Sequence, residues 1–395
     1  MEKKAFWLIG TLGILIIGLF VVGVVLAEKD PTQATNPKLA QVENSETQPI
    51  VEAAVEVPQT PEPIKMTHIE TPTAVRALYM SSWVASTTNI RDKIIDLIDT
   101  TNINAVVIDI KDATGRVSFL VDDQVVSETG SSRDLIKDIS DLIQVLHAKD
   151  IYVIGRISVF QDPYLTEKKP EWALKTKSTG TVWKDKKGLS FLDPTKKEVW
   201  DYVMRLAQES YAKGFDEINF DYIRFPSDGN IKDIAYPTSI ASKADAIKLF
   251  WEHLHQVMTI ESHIPTSADV FGLTTEVKDD MGIGQVLENA LPNFDFIAPM
   301  IYPSHYPKGY QGFQNPATKP YEVVTVAMKS GVARAKALGL TSVKFRPWIQ
   351  DFDMGATYTA VMVKDQIRAL HEQGIESYMV WDPANSYTVD AYDKE

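Results

Sequence analysis

The chain has 395 residues and a formal net charge of −13. That balance excludes a nucleic-acid partner, because no basic face offsets repulsion from phosphates. Cysteine is absent, which excludes thiol catalysis, disulfides and cysteine-bound zinc and suits an exported protein that avoids stray oxidation.

At the N-terminus, Lys3 and Lys4 precede an uncharged run from Ala5 to Ala27, followed by Glu28, Lys29 and Asp30. The run is long enough to cross a hydrocarbon core of roughly 30 Å as a helix. A cleavable signal core is usually only about 7–15 residues, so residues 1–27 read as a membrane anchor. The basic flank stays inside and places the remaining chain outside the cytoplasm. Val25-Leu26-Ala27 resembles a cleavage site, which leaves a secreted product as the alternative. Residues 28–73 are rich in Pro, Thr, Gln, Glu and Ala with almost no aromatic residue, and are expected to form a disordered linker.

From Val75 the pattern alternates between strand and helix. Strands are expected at 75–81, 105–111, 152–158 and 216–225, then at 266–271, 294–302, 342–350 and 376–381. Helical patterns fall between them at 90–100, 132–149, 196–213, 239–260, 284–290, 321–338 and 358–373. Eight strands with intervening helices over residues 74–395 predict an α/β fold, a (β/α)8 TIM barrel. An open doubly wound sheet is the alternative, weakened by the absence of a Gly-x-Gly-x-x-Gly turn after the first strand. One connection is long: Phe160 to Asp193 holds Trp172, Trp183 and several lysines, the length of a binding loop or lid. Lys168, Lys169 and Lys184 to Lys187 read as solvated charge.

The fourth strand has two chemistries. Ile218, Phe220 and Tyr222 alternate with Glu217, Asn219 and Asp221, so one face is apolar and the other polar. A polar face is tolerated in a barrel strand where it borders a wet cavity, at the strand's C-terminal end. Asp221 sits there, with Asn219 beneath it, Arg224 at the rim and Glu217 near the floor. Other strand ends repeat the signal: Asp109, Lys111 and Asp112 on the second, Asp269 on the fifth, Asp351 after the seventh and Asp382 after the eighth. Arg156, Arg224 and Arg346 accompany them.

Clustered carboxylates push their pKa values apart, supplying an acid together with a base or nucleophile. Asp221 and Asp269, on adjacent strands, form the favoured catalytic pair, and Glu276 is the reserve general acid. Asn219, Arg224, Asp109, Lys111, His305 and Asp382 are candidate substrate contacts. Tyr302 and Trp381 offer flat faces for sugar stacking. Arg346 and Trp348 serve either substrate or the orientation of a carboxylate. No metal site is expected: His253 and His255 point to different faces of one helix, and neither a His-x-x-x-His pair nor a calcium loop occurs. No cofactor is expected either, and neither a P-loop nor a Gly-x-Ser-x-Gly nucleophile elbow occurs.

These blocks have a familiar look. Gly214-Phe215-Asp216-Glu217 followed by Phe220-Asp221-Tyr222-Ile223-Arg224-Phe225-Pro226 resembles the signature of a bacterial family of inferred glycoside hydrolases, long catalogued as a domain of unknown function. Ser267 to Gly272, Pro299 to Tyr306 and Arg346 to Phe352 resemble its later blocks, and the similarity extends from about Ala74 to Tyr387. The resemblance implies a TIM barrel distantly related to the α-amylase-like hydrolases, with Asp221 in the nucleophile position. In α-amylase-type strands an arginine stands two residues before the nucleophile; here that residue is Asn219. The expected activity is hydrolysis of a cell-surface or environmental polysaccharide or oligosaccharide by two carboxylates. A catalytically silent glycan-binding barrel is the alternative, and a metal-dependent deacetylase or phosphatase ranks third.

Overall fold

The computed structural model describes residues 66–236 and 240–392. The apolar run and the linker up to residue 65 lie outside the described residues. Among the described residues, no helix is long and apolar enough to cross a membrane. Eight parallel strands close into a barrel in sequence order. They are β1 (Arg76–Met80), β2 (Ala105–Lys111), β3 (Tyr152–Ser158), β4 (Glu217–Asp221), β5 (Thr266–Phe271), β6 (Phe296–Met300), β7 (Trp348–Gln350) and β8 (Tyr378–Trp381).

Strand alternation divides the apolar residues into two separate groups. Leu78, Val106, Ile108, Val153, Ile218, Phe220, Val270 and Ile297 face outward into the main core with the helices. Ala77, Tyr79, Val107, Ile154, Ala298, Trp348 and Met379 fill the barrel. The helix Lys197–Ala212 shows the matching helical stripe, burying Val199, Tyr202, Val203, Leu206, Ala207 and Ser210. Packing is close where helix and strand meet: a methyl group on Gly155 would lie 2.3 Å from Ile110 Cδ1 and 2.8 Å from Phe215 Cδ1.

Several strands are shorter than the sequence pattern predicts, β4 and β7 most of all. β4 stops at Asp221 rather than at 225, because Tyr222 takes a left-handed backbone with φ 51° and leaves the ladder. β7 begins only at Trp348, after a 3-10 turn at Ser342–Lys344. Pro347 offers no N–H to the ladder, and only the Phe345–Ile297 bridge prolongs the pairing.

The barrel floor is a polar clamp of its own. Arg346 Nη1 lies 2.7 Å from both oxygens of Glu217, and both residues are fully buried. Ser267 Oγ donates to the same carboxylate at 2.6 Å, and Tyr152 hydroxyl at 3.1 Å. Residues 66–73, the end of the expected linker, run against this floor. Ile69 N–H donates to Asp216 at 2.7 Å, Thr71 meets Tyr152 hydroxyl at 2.9 Å, and His68 stacks on Tyr211 at 3.8 Å.

Removing one partner of a buried pair costs about 3–5 kcal/mol, since the remaining charge loses its counter-ion. Arg346→Met is therefore expected to lower unfolding free energy by about that much. Adding Glu217→Gln should recover part of it, as read by chemical denaturation. Equal stability of Arg346→Met and wild type would remove the clamp from the fold's support.

Candidate active site

β3 and β4 are paired so that Arg156 stands opposite Asn219 and Ser158 opposite Asp221. On the other side Arg156 stands opposite Asp109 of β2, and Asn219 stands opposite Ser267 of β5. This register gathers side chains from four neighbouring strands around one guanidinium. Arg156 Nη1 donates to Asp109 at 2.7 Å, and its Nη2 to Asp221. Its Nε lies 3.7 Å from Asp269 Oδ2. The guanidinium also lies 5.2 Å from the Trp381 ring centre, a cation–π contact.

Each carboxyl is held by further donors. Tyr79 hydroxyl donates to Asp109 at 2.5 Å. Asp221 accepts its second bond from the N–H of Tyr222 at 2.5 Å, an arrangement that depends on the left-handed backbone there. Asp269 Oδ1 accepts from Asn219 Nδ2 at 2.9 Å and from Trp348 Nε1 at 2.7 Å. Oδ2 is left as the oxygen free to bear a proton.

The electrostatics follow from three buried carboxyls sharing one cation. Burial first, then the charge of Asp221, raises Asp269 well above the usual carboxylate range, against the opposing pull of Arg156. Burial also raises Asp109, with Arg156 and Tyr79 opposing. Because one guanidinium touches both, Asp221 and Asp269 fall inside the separation of up to roughly 9.5 Å that glycosidase pairs span.

The structure sorts the sequence candidates by place. Asp109, Asp221, Asp269, Tyr302 and Trp381 converge on the barrel mouth. Tyr302 makes edge contacts with His305 and Phe352 at 5.2 and 5.7 Å, and Trp381 stacks on Tyr79 at 4.0 Å. Asn219 is fully buried beneath the pair and orients Asp269 and Ser267, so it does not face substrate. Trp348 serves Asp269, and Arg346 serves Glu217. Of the two roles read for these residues, each therefore orients a carboxylate, and Arg346 is too deep to reach a ligand.

Lys111 is a correction. Spacing puts it on the same face as Asp109, but a register shift between the two turns it outward. It is fully buried against Asp162 at 2.6 Å, with its ammonium 5.5 Å from the Tyr202 ring centre. Asp382 is bound into a turn, accepting from Ala384 N–H at 2.7 Å. Glu276 is half-buried with Tyr310 hydroxyl at 2.8 Å, and no hydrogen bond or ion pair joins it to the Arg156 cluster. Arg156, noted from sequence only as one of several accompanying arginines, is the hub. Tyr79 was not singled out at all; its inward place on β1, two residues after the inward Ala77, was the available signal.

A family model described as "putative glycosyl hydrolase domain" matches residues 77–387. The glycoside hydrolase domain of PgaB (BpsB) from Bordetella bronchiseptica superposes with a TM-score of 0.61 at 13% identity, over 82% of this chain and 99% of that one. At that identity the likeness shows the fold. A hypothetical protein from Ruminiclostridium thermocellum ATCC 27405 is 36% identical over 49% of this chain and 97% of its own, with a TM-score of 0.44. No curated protein matches the chain.

Asp382 offers a pH test of this environment, because burial pushes it up to about 6. A carboxyl raised in the folded state costs stability as pH climbs from its unfolded pKa, about 3.9, toward the folded value. Asp382→Asn keeps an oxygen for Ala384 and removes that cost. The variant is expected to melt above wild type at pH 7.5 and with it at pH 3.5. A difference independent of pH would contradict the raised value.

Proposed function

The chain belongs to this putative glycosyl hydrolase domain family, and from that membership we propose that it hydrolyses glycosidic bonds of a polysaccharide with Asp221 and Asp269. The observation that carries the reading is the pair of carboxyls on adjacent strand ends, held by one arginine in different environments. Asp221 takes donors on both oxygens, from Arg156 and Tyr222 N–H, as a nucleophile or general base requires. Asp269 has the environment of a neutral acid: burial and its neighbour's charge favour the protonated form, and Oδ2 carries no hydrogen bond.

Asp269 gives its proton to the departing glycosidic oxygen while Asp221, or a water it activates, attacks the anomeric carbon. As Asp269 becomes negative, the guanidinium of Arg156 lies beside both carboxylates and stabilises the added charge. Arg156 also supplies from the adjacent strand the arginine contact that α-amylase-type strands place two residues before the nucleophile. Trp381 and Tyr302 supply ring faces at the mouth for a sugar's C–H face. The uncharged run behind Lys3 and Lys4 supports placing this activity outside the cytoplasm, on cell-surface or environmental glycan.

The test is a digestion screen of cell-surface polysaccharides with the full-length protein, scored by released reducing ends. Asp221→Asn should lose on the order of 10³-fold in turnover with an unchanged melting profile. Wild-type kcat/KM should fall as pH rises and Asp269 gives up its proton, and Asp269→Asn should lack that limb. Turnover unaffected by Asp221→Asn would remove the assignment. Glycan binding with no bond cleavage would make the barrel a binding module.

A further inference from the structure

Arg224 is an arginine without an acid. It lies three residues beyond Asp221 on the mouth side of β4 and is only 9% exposed. Its hydrogen bonds leave from Nη1 alone, to the Phe225 carbonyl at 3.1 Å and to Ser227 Oγ at 3.4 Å. Nε and Nη2 find no hydrogen-bond partner among the described residues, and no carboxylate comes within ion-pair distance. Asp221 and Asp185 act on it only at longer range. The other two buried arginines are matched: Arg156 takes Asp109 and Asp221, and Arg346 takes Glu217.

A buried guanidinium with no acid beside it loses its hydration without a counter-ion in return. Ring faces offset part of this, with Phe271, Tyr222 and Phe191 centred 4.8, 5.1 and 5.9 Å from its central carbon. They leave the Nε–Nη2 edge open, and that edge is the fork that binds carboxylate or phosphate through two parallel bonds.

The loop beside it departs from the acidic balance of the chain. Between residues 173 and 192, Lys175, Lys177, Lys184, Lys186 and Lys187 stand against Asp185 alone. This loop packs on the segment that follows Arg224. Trp183 Nε1 donates to the Asn230 carbonyl at 3.0 Å, and Lys175–Thr176 pairs with Ile234–Ala235. Lys177, Lys184, Lys186 and Lys187 are exposed, with Lys186 3.1 Å from Asp228. Salt screens exposed charges beyond about 8 Å, so the local balance outweighs the distant excess of acids for a ligand at this rim.

We propose that Arg224 and the lysine-rich loop form a subsite for an anionic group on the glycan, a sugar carboxylate or a phosphate, so that acidic polysaccharides bind in preference to neutral ones. The identification of the ligand as a glycan rests on the hydrolase reading; the demand for an anion rests on Arg224.

Affinity electrophoresis tests this with full-length Asp221→Asn protein, which holds substrate without consuming it. The gels contain solubilised bacterial cell-envelope polysaccharide, either untreated, carboxyl-reduced with carbodiimide and borohydride, or dephosphorylated with hydrofluoric acid. Untreated polymer should retain the protein. Retention should weaken about ten-fold, the loss of one charged hydrogen-bond pair, on carboxyl-reduced polymer if the anion is a carboxylate and on dephosphorylated polymer if it is a phosphate.

Adding Arg224→Gln should erase the difference between forms, with Arg224→Lys between the two. Lys184→Gln with Lys187→Gln, on an exposed loop where folding is not at stake, should weaken retention by untreated polymer only. No retention by untreated polymer, or retention indifferent to both treatments, overturns the subsite. Charge-selective retention while wild type releases no reducing ends supports the subsite and removes the hydrolase reading. Hydrolysis indifferent to both treatments does the reverse.

Discussion

One guanidinium makes the acidic interior of this barrel possible. Asp109, Asp221 and Asp269 project from β2, β4 and β5 into a space closed on most sides by apolar rings, where three ionised carboxylates could not coexist. Arg156, on the strand between β2 and β4, is within reach of all three, as a planar fork with donors on several edges can be. Its single positive charge cannot neutralise three negatives. The deficit falls on Asp269, the most buried member and the one that Arg156 reaches only at 3.7 Å. Burial, and after it the charge of Asp221, thus raises Asp269 against the pull of a cation that it meets only at the longest of the three distances.

Polarity inside the barrel is layered. Glu217 and Arg346 close the floor with a pair matched one to one, and Asn219, Ser267 and Trp348 form a neutral middle layer that fixes Asp269. The mouth carries the unmatched groups: three carboxyls on Arg156, and Arg224 with no acid at all. A matched floor below an unmatched rim concentrates reactivity at one end, the end where barrel enzymes place their sites. The left-handed turn at Tyr222 separates the two systems. Such a backbone costs a bulky residue roughly 1–3 kcal/mol. It returns an N–H to Asp221 and carries the chain out of the barrel wall toward Arg224.

Much of this was legible in the residues. Period-two alternation of Glu217, Asn219 and Asp221 against Ile218 and Phe220 marks a strand with one polar face, and eight strands alternating with helices mark the barrel. Candidates failed where a local rule met a tertiary feature. Lys111 shares a face with Asp109 by spacing, yet one register shift sends it outward to Asp162. For Arg346 two roles were open, and its place on the floor beside Glu217 selects the orientation of a carboxylate over contact with substrate. Tyr79 escaped notice because an inward tyrosine in an apolar strand looks like ordinary packing until its hydroxyl meets a carboxylate from the next strand.

By itself the sequence determined the order of strands and helices, which strand faces are polar, and that the carboxylates gather toward strand C-terminal ends. Those properties depend on contacts a few residues apart, and periodicity records them directly. The tertiary structure alone decided which carboxylates share a cation, which of them lies deepest and which arginine goes unmatched. Arg156 is separated from Asp109 by 47 residues and from Asp221 by 65. Only the register between neighbouring strands sets those distances, and a charge's effect depends on distance and burial rather than on its place in the chain.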